Sequence, residues 1–156
     1  MSLLKKIALT ASAAIVTAGL TSAAWAESAA ERAVKEAQKY KGQTITIVWE
    51  AGLQSLDPLN FSGPLWEKLT GMKVKVIEVQ TAEMFTKIMQ EYRAGTGAYD
   101  ALNVMPSWMP DLANAGALEP LDSYIDKYGY ADELSKIAPI YRDNWAKANG
   151  KVYGLP

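Results

Sequence analysis

Apolar and polar positions along the chain follow two alternating rhythms. "QTITIVWE" (Gln43–Glu50) is apolar at Ile45, Ile47, Val48 and Trp49, the signature of a β-branched strand buried on both faces. "MKVKVIEV" (Met72–Val79) predicts a second strand and "YDALNVMP" (Tyr99–Pro106) a third. Helical spacing separates them. "PLWEKLTG" (Pro64–Gly71) opens on a helix-tolerant proline and closes on a glycine cap. "TAEMFTKIMQEYRAGTG" (Thr81–Gly97) places Phe85, Ile88, Met89 and Tyr92 in one stripe, with Thr81 as its expected cap and Gly95 and Gly97 as its stop. Ahead of the first strand, Glu27–Gly42 suits a helix rich in Ala, Glu and Lys.

Less regular pattern surrounds this core. "AGLQSLDPLNFSG" (Ala51–Gly63) reads as a loop. Ser107–Gly129 reads as a short helix with proline-marked turns, and Tyr130–Gly150 as a helical stretch interrupted at Pro139. Gly150 and Lys151 read as a turn, after which "KVYGL" opens a further strand. The order β-α-β-α-β-α predicts an α/β fold with a parallel sheet and right-handed crossovers.

The first 26 residues do not belong to that pattern. Lys5 and Lys6 precede an uncharged apolar run, and "AWA" (Ala24–Ala26) offers small residues at a cleavage site. This is a Sec-type signal peptide, with cleavage expected after Ala26 and a periplasmic product of residues 27–156. Removal takes away two lysines, so the formal charge moves from 16 − 17 = −1 to 14 − 17 = −3. A mildly acidic chain has no electrostatic reason to bind nucleic acid or an anionic membrane. No stable membrane insertion is expected after cleavage. The chain has no cysteine and no histidine. Disulfides, thiolate or imidazole metal sites, and Cys- or His-based catalysis are therefore excluded. No cofactor is expected.

Candidate chemistry centres on the carboxyl ends of the strands, where open parallel sheets place ligands. Those ends carry Trp49, Glu50, Ala51 and Gly52, then Gln80 and Thr81, then Pro106, Ser107, Trp108 and Met109. Aromatic faces pack on the apolar faces of sugar rings while carboxylates, amides and hydroxyls bind their hydroxyl groups. Trp49 can equally be core, since it alternates with Ile45 and Ile47, and Glu50 can equally be a solvated loop carboxylate. Asp100, at the start of the third strand, reads as structural. "AGTG" (Ala94–Gly97) precedes a strand, so it is a helix stop rather than a phosphate loop. Two enzyme or binding alternatives compete. One is an exported glycoside-active enzyme using paired carboxylates; the other is a non-transport module kept for protein contacts.

"FSGPLWEKLTGMKVKVIEV", "EYRAGTGAYDALNVMPSWMPDLANAGALEPLDSYI" and "NGKVYGLP" together resemble the extracellular solute-binding proteins of ABC importers, in the group of carbohydrate receptors that includes maltose-binding protein. Asp100 holds the position of a common aspartate, and Leu112, Gly116, Leu118, Pro120 and Leu121 match the stretch after the third strand. The resemblance implies a type II periplasmic-binding-protein-like N-terminal lobe and no catalysis. It further implies a sugar or related polyhydroxylated solute and permease subunits as partners. By position, the ligand-facing residues are Glu50, Ala51, Gly52, Thr81, Ser107 and Trp108. Members of the family are longer and two-lobed, with "GKVYGLP" entering the crossing between lobes. On that comparison residues 27–156 form an incomplete lobe without the second one. Open sheet edges, uncovered helix faces and weak binding by the chain alone are then expected.

Overall fold

The structure, a computed structural model, describes residues 27–156; the expected signal peptide lies outside the described residues. Helix α1 (Ala29–Ala37) begins in a capping box. Ser28 Oγ accepts from the Glu31 amide at 3.2 Å, and the Glu31 carboxylate accepts from the Ser28 amide at 2.8 Å. A 3-10 turn, Gln38–Tyr40, then leads to β1 (Thr44–Glu50).

Strand β1 is central. It pairs in parallel with β2 (Lys73–Val79) from Thr44↔Lys73 to Glu50↔Val79, and with β3 (Ala101–Leu102) at Ile47↔Ala101 and Val48↔Leu102. The strand order is β2-β1-β3. Helices α2 (Leu56–Asn60) and α3 (Ser62–Thr70) connect β1 to β2, and α4 (Thr81–Ala94) connects β2 to β3.

Alternation along the strands sends side chains to opposite faces. On one face Val48 and Val79 meet Met84 and Ile88 of α4 and Leu112 of α5 (Met109–Ala115), forming the main core. Phe85, Met89 and Trp108 pack at its margin. Ile45, Ile47 and Trp49 stand on the other face, toward α2 and α3, and all three are only half-buried. The expectation that β1 is buried on both faces therefore fails on the α2–α3 side, where the helices cover the strand incompletely.

Four further expectations are corrected. The loop after β1 contains α2, whose Pro58 sits in the first turn, where a missing amide proton costs no helical bond. Thr81 does not cap α4: the cap is Gln80, in extended conformation, and the Thr81 hydroxyl turns instead to Glu50. The third strand is two residues long, not eight. Asp100 extends its ladder with a side chain, Oδ2 accepting from the Thr46 amide at 2.7 Å, and Pro106 starts a 3-10 turn, Pro106–Trp108. Finally, Tyr130–Gly150 is not one interrupted helix. After α6 (Asp122–Tyr128) it holds α7 (Ala131–Ser135), α8 (Pro139–Asn144) and the strand β4 (Lys147–Ala148). Strand β4 pairs antiparallel with β5 (Lys151–Val152) across Asn149 and Gly150. Both turn residues have positive φ, 51° and 75°, which suits the Asn-Gly pair of a tight hairpin.

The hairpin is tied back to the body. Val152 O accepts from the Leu121 amide at 2.7 Å, and the Val152 amide donates to Asp122 Oδ2 at 3.1 Å. At the surface of α8, bonds from Arg142 and Lys147 hold the Asp143 carboxyl down to about 2.

Candidate ligand-binding edge

The carboxyl ends of the three strands lie side by side because all three run parallel. At the end of β1 the chain is pinned on the α2–α3 side. The Ala51 amide donates to Val79 O at 2.9 Å, and Gly52 takes a φ of 100° that a side chain would strain. Ser55, fully buried, sets its hydroxyl 2.8 Å from Gly52 O and 2.5 Å from Glu78 Oε1. Ala51 and Gly52 are thereby part of a rigid turn.

Glu50 points the other way, to the α4 face it shares with Val48. Its Oε1 accepts a close hydrogen bond from the Thr81 hydroxyl at the start of α4. After β3, the 3-10 turn closes with the Trp108 amide donating to Met105 O at 2.9 Å. That turn lays the Trp108 ring 5.9 Å from the Phe85 ring, tilted by 58°. Thr81, Ala82, Phe85, Thr86, Trp108 and Asp111 line an open recess of about 440 Å³.

Of the six expected site residues, Thr81 and Trp108 meet in this recess, and Glu50 reaches it through Thr81. Ser107 is exposed beside Trp108 without lining it. Ala51 and Gly52 lie on the adjoining turn. The two tryptophans do not converge: Trp49 stands on the α2–α3 face, opposite Glu50, so its alternation with Ile45 and Ile47 decides its direction. Sequence reading missed Phe85, Thr86 and Asp111 as lining residues. Their spacing was the available signal, since Thr81 and Phe85 are one helical turn apart, as are Trp108 and Asp111.

A larger hollow, about 600 Å³, lies at the opposite end of the sheet, between α1, Trp66, Met72 and the Tyr128–Tyr130 turn. It is next to the amino ends of the strands and brings no residue of the rim into it. Among the described residues, no group of three or more acidic, His or Cys side chains is placed to hold a metal ion. Among the described residues, no helix is long and apolar enough to cross a membrane.

The model of the family described as "Bacterial extracellular solute-binding protein" matches residues 23–156. The chain belongs to that family. The family is one of extracellular solute-binding proteins, so the match lends no support to the carboxylate-hydrolase alternative. No curated protein sequence matches it. Among solved structures it is similar to an ABC transporter solute-binding protein from Agrobacterium radiobacter K84 in complex with ribitol. The TM-score is 0.65 at 18% identity, over 72% of this chain and 28% of that one. A second such protein, from Agrobacterium vitis S4 with bound D-mannitol, gives a TM-score of 0.58 at 21% identity, over 71% of this chain and 26% of that one. These likenesses establish the periplasmic-binding-protein-like α/β fold. The chain matches about a quarter of the length of either structure.

Proposed function

We propose that residues 27–156, following a cleaved leader at 1–26, form part of the N-terminal lobe of a periplasmic receptor for an ABC importer. The captured solute is polyhydroxylated and is handed to the importer's permease subunits. The observation that carries this reading is the meeting of Thr81 and Trp108 at the carboxyl edge of a parallel sheet, in a member of a solute-binding family. An indole face beside a hydroxyl and a carboxylate matches a ligand with C–H faces and O–H rims. The ribitol and D-mannitol held by the two similar proteins support the same class of solute.

One wall supplies only some of the contacts that a closed site makes, so affinity of this chain alone is weak, on the order of millimolar. Heteronuclear NMR of the full chain detects binding in that range. Titration with ribitol and D-mannitol shifts the Trp108 indole N–H and the Thr81 amide, while Trp108→Ala abolishes the Thr81 response and leaves the melting temperature nearly unchanged. Shifts scattered away from the strand ends, or none, overturn the reading. A large drop in melting temperature for Trp108→Ala makes this ring core rather than wall.

A further inference from the structure

Asp111 is the one acidic side chain lining the recess, beside neutral groups: the Thr81 and Thr86 hydroxyls and the Trp108 indole. The Thr81 hydroxyl has its single proton committed to Glu50, so the lone pairs of its oxygen are what remain for a ligand. Asp111 offers an exposed carboxylate, a group that in its ionised form is an acceptor only. No Lys or Arg is among the residues lining the recess. The nearest lysine along α4, Lys87, sits 3.1 Å from Glu83 in an ion pair. Asp111 itself makes no ion pair or side-chain hydrogen bond among the described residues, whereas Glu50, Glu78 and Asp100 are each engaged within the fold.

We propose that Asp111 is a specificity-determining residue of this edge: it accepts hydroxyl protons from a solute laid across the Trp108 and Phe85 rings, and it turns away anionic solutes of the same length. A carboxylate accepts two vicinal hydroxyls at once, and charge assistance makes such bonds stronger than neutral ones. A solute carboxylate placed there meets the like charge of Asp111, with only neutral donors and no Lys or Arg in the lining to offset it. The recess therefore distinguishes an alditol from the corresponding aldonic acid, two molecules that differ at one terminal carbon. This rests on the reading of the edge as a solute site.

The test compares ribitol with ribonate, followed at the Trp108 indole N–H in the full chain, for the wild type and for Asp111→Asn and Asp111→Glu. Asp111 is exposed and bonded to nothing that the fold needs, so the variants keep the wild-type melting temperature. The expected result is a ribitol response in the wild type without a ribonate response. Asp111→Asn then weakens ribitol about five- to ten-fold and admits ribonate, and Asp111→Glu keeps the wild-type preference. Ribitol binding at Trp108 that is indifferent to Asp111→Asn overturns the role of Asp111 and leaves the solute site standing. Equal wild-type responses to ribitol and ribonate do the same. Absence of any ribitol response at Trp108 in the wild type overturns the solute site, and the inference with it.

Discussion

The two faces of the one sheet are held in different ways. On the α4–α5 face, Val48, Val79, Met84, Ile88 and Leu112 are all 3% exposed or less, and apolar burial is the adhesive. On the α2–α3 face the large apolar residues are open: Phe61 is 66% exposed, and Leu56, Leu65 and Leu69 lie between 42% and 51%. Polar pins take over there. Buried Thr70 donates to Trp66 O at 2.7 Å and accepts from the Met72 amide at 3.1 Å, while Glu67 Oε1 accepts from the Val74 amide at 2.8 Å. Together with Ser55 they fix the helices to the strand ends through hydrogen bonds. One strand, β1, serves both regimes because successive residues face opposite ways. The lesson for function is positional: the recess opens on the face with the dense core, where its walls cannot drift.

The sharpest way to break this contrast is to truncate one leucine on each side. Leu112→Ala should cost about 2–5 kcal/mol in urea denaturation of the full chain, and Leu65→Ala no more than about 0.5 kcal/mol. Similar midpoints for the two would mean that the faces are not held differently. A smaller loss is expected at Gly63, where α2 and α3 touch. A Cβ there would stand 2.2 Å from the Pro58 carbonyl oxygen, so Gly63→Ala should destabilise by about 1–3 kcal/mol through backbone displacement. A neutral Gly63→Ala would show that this contact relaxes freely. The finest test is Ser55→Ala, which leaves Gly52 O and Glu78 without their shared donor. Its expected cost is about 1 kcal/mol, with faster hydrogen exchange at the Ala51 and Gly52 amides. Unchanged exchange would remove Ser55 from the set of polar pins.

Strands β1 and β2 and helix α4 were legible in the sequence because period and composition agree over seven or more residues. The Met84–Ile88 side of α4 was found through its stripe, though Met84 itself was passed over and Tyr92, within the stripe, remains 44% exposed. Of the β4–β5 hairpin, the turn at Gly150 and the strand opening at Lys151 were legible, but β4 was missed, since its two residues carry too little pattern to outweigh the helical residues before them. Helix α2 was missed for a related reason: at five residues, with Pro58 inside it, it depends on its contact with Gly63 more than on propensity. At the edge, sequence order alone brought out Glu50, Thr81 and Trp108 as candidates, because parallel strands place their carboxyl ends together.

By itself, then, the sequence determined the alternation of strand and helix, the absence of cysteine and histidine chemistry, and the family to which the chain belongs. Those properties reside in local periodicity, composition and motif order. Tertiary structure alone decided which way each rim residue turns. Thr81 gives up the cap of α4 to bond Glu50, Trp49 faces away from Trp108, and Asp111 joins the recess from a different helix. Each of these depends on which partner stands across a gap between elements distant in the chain, and no local pattern encodes that distance.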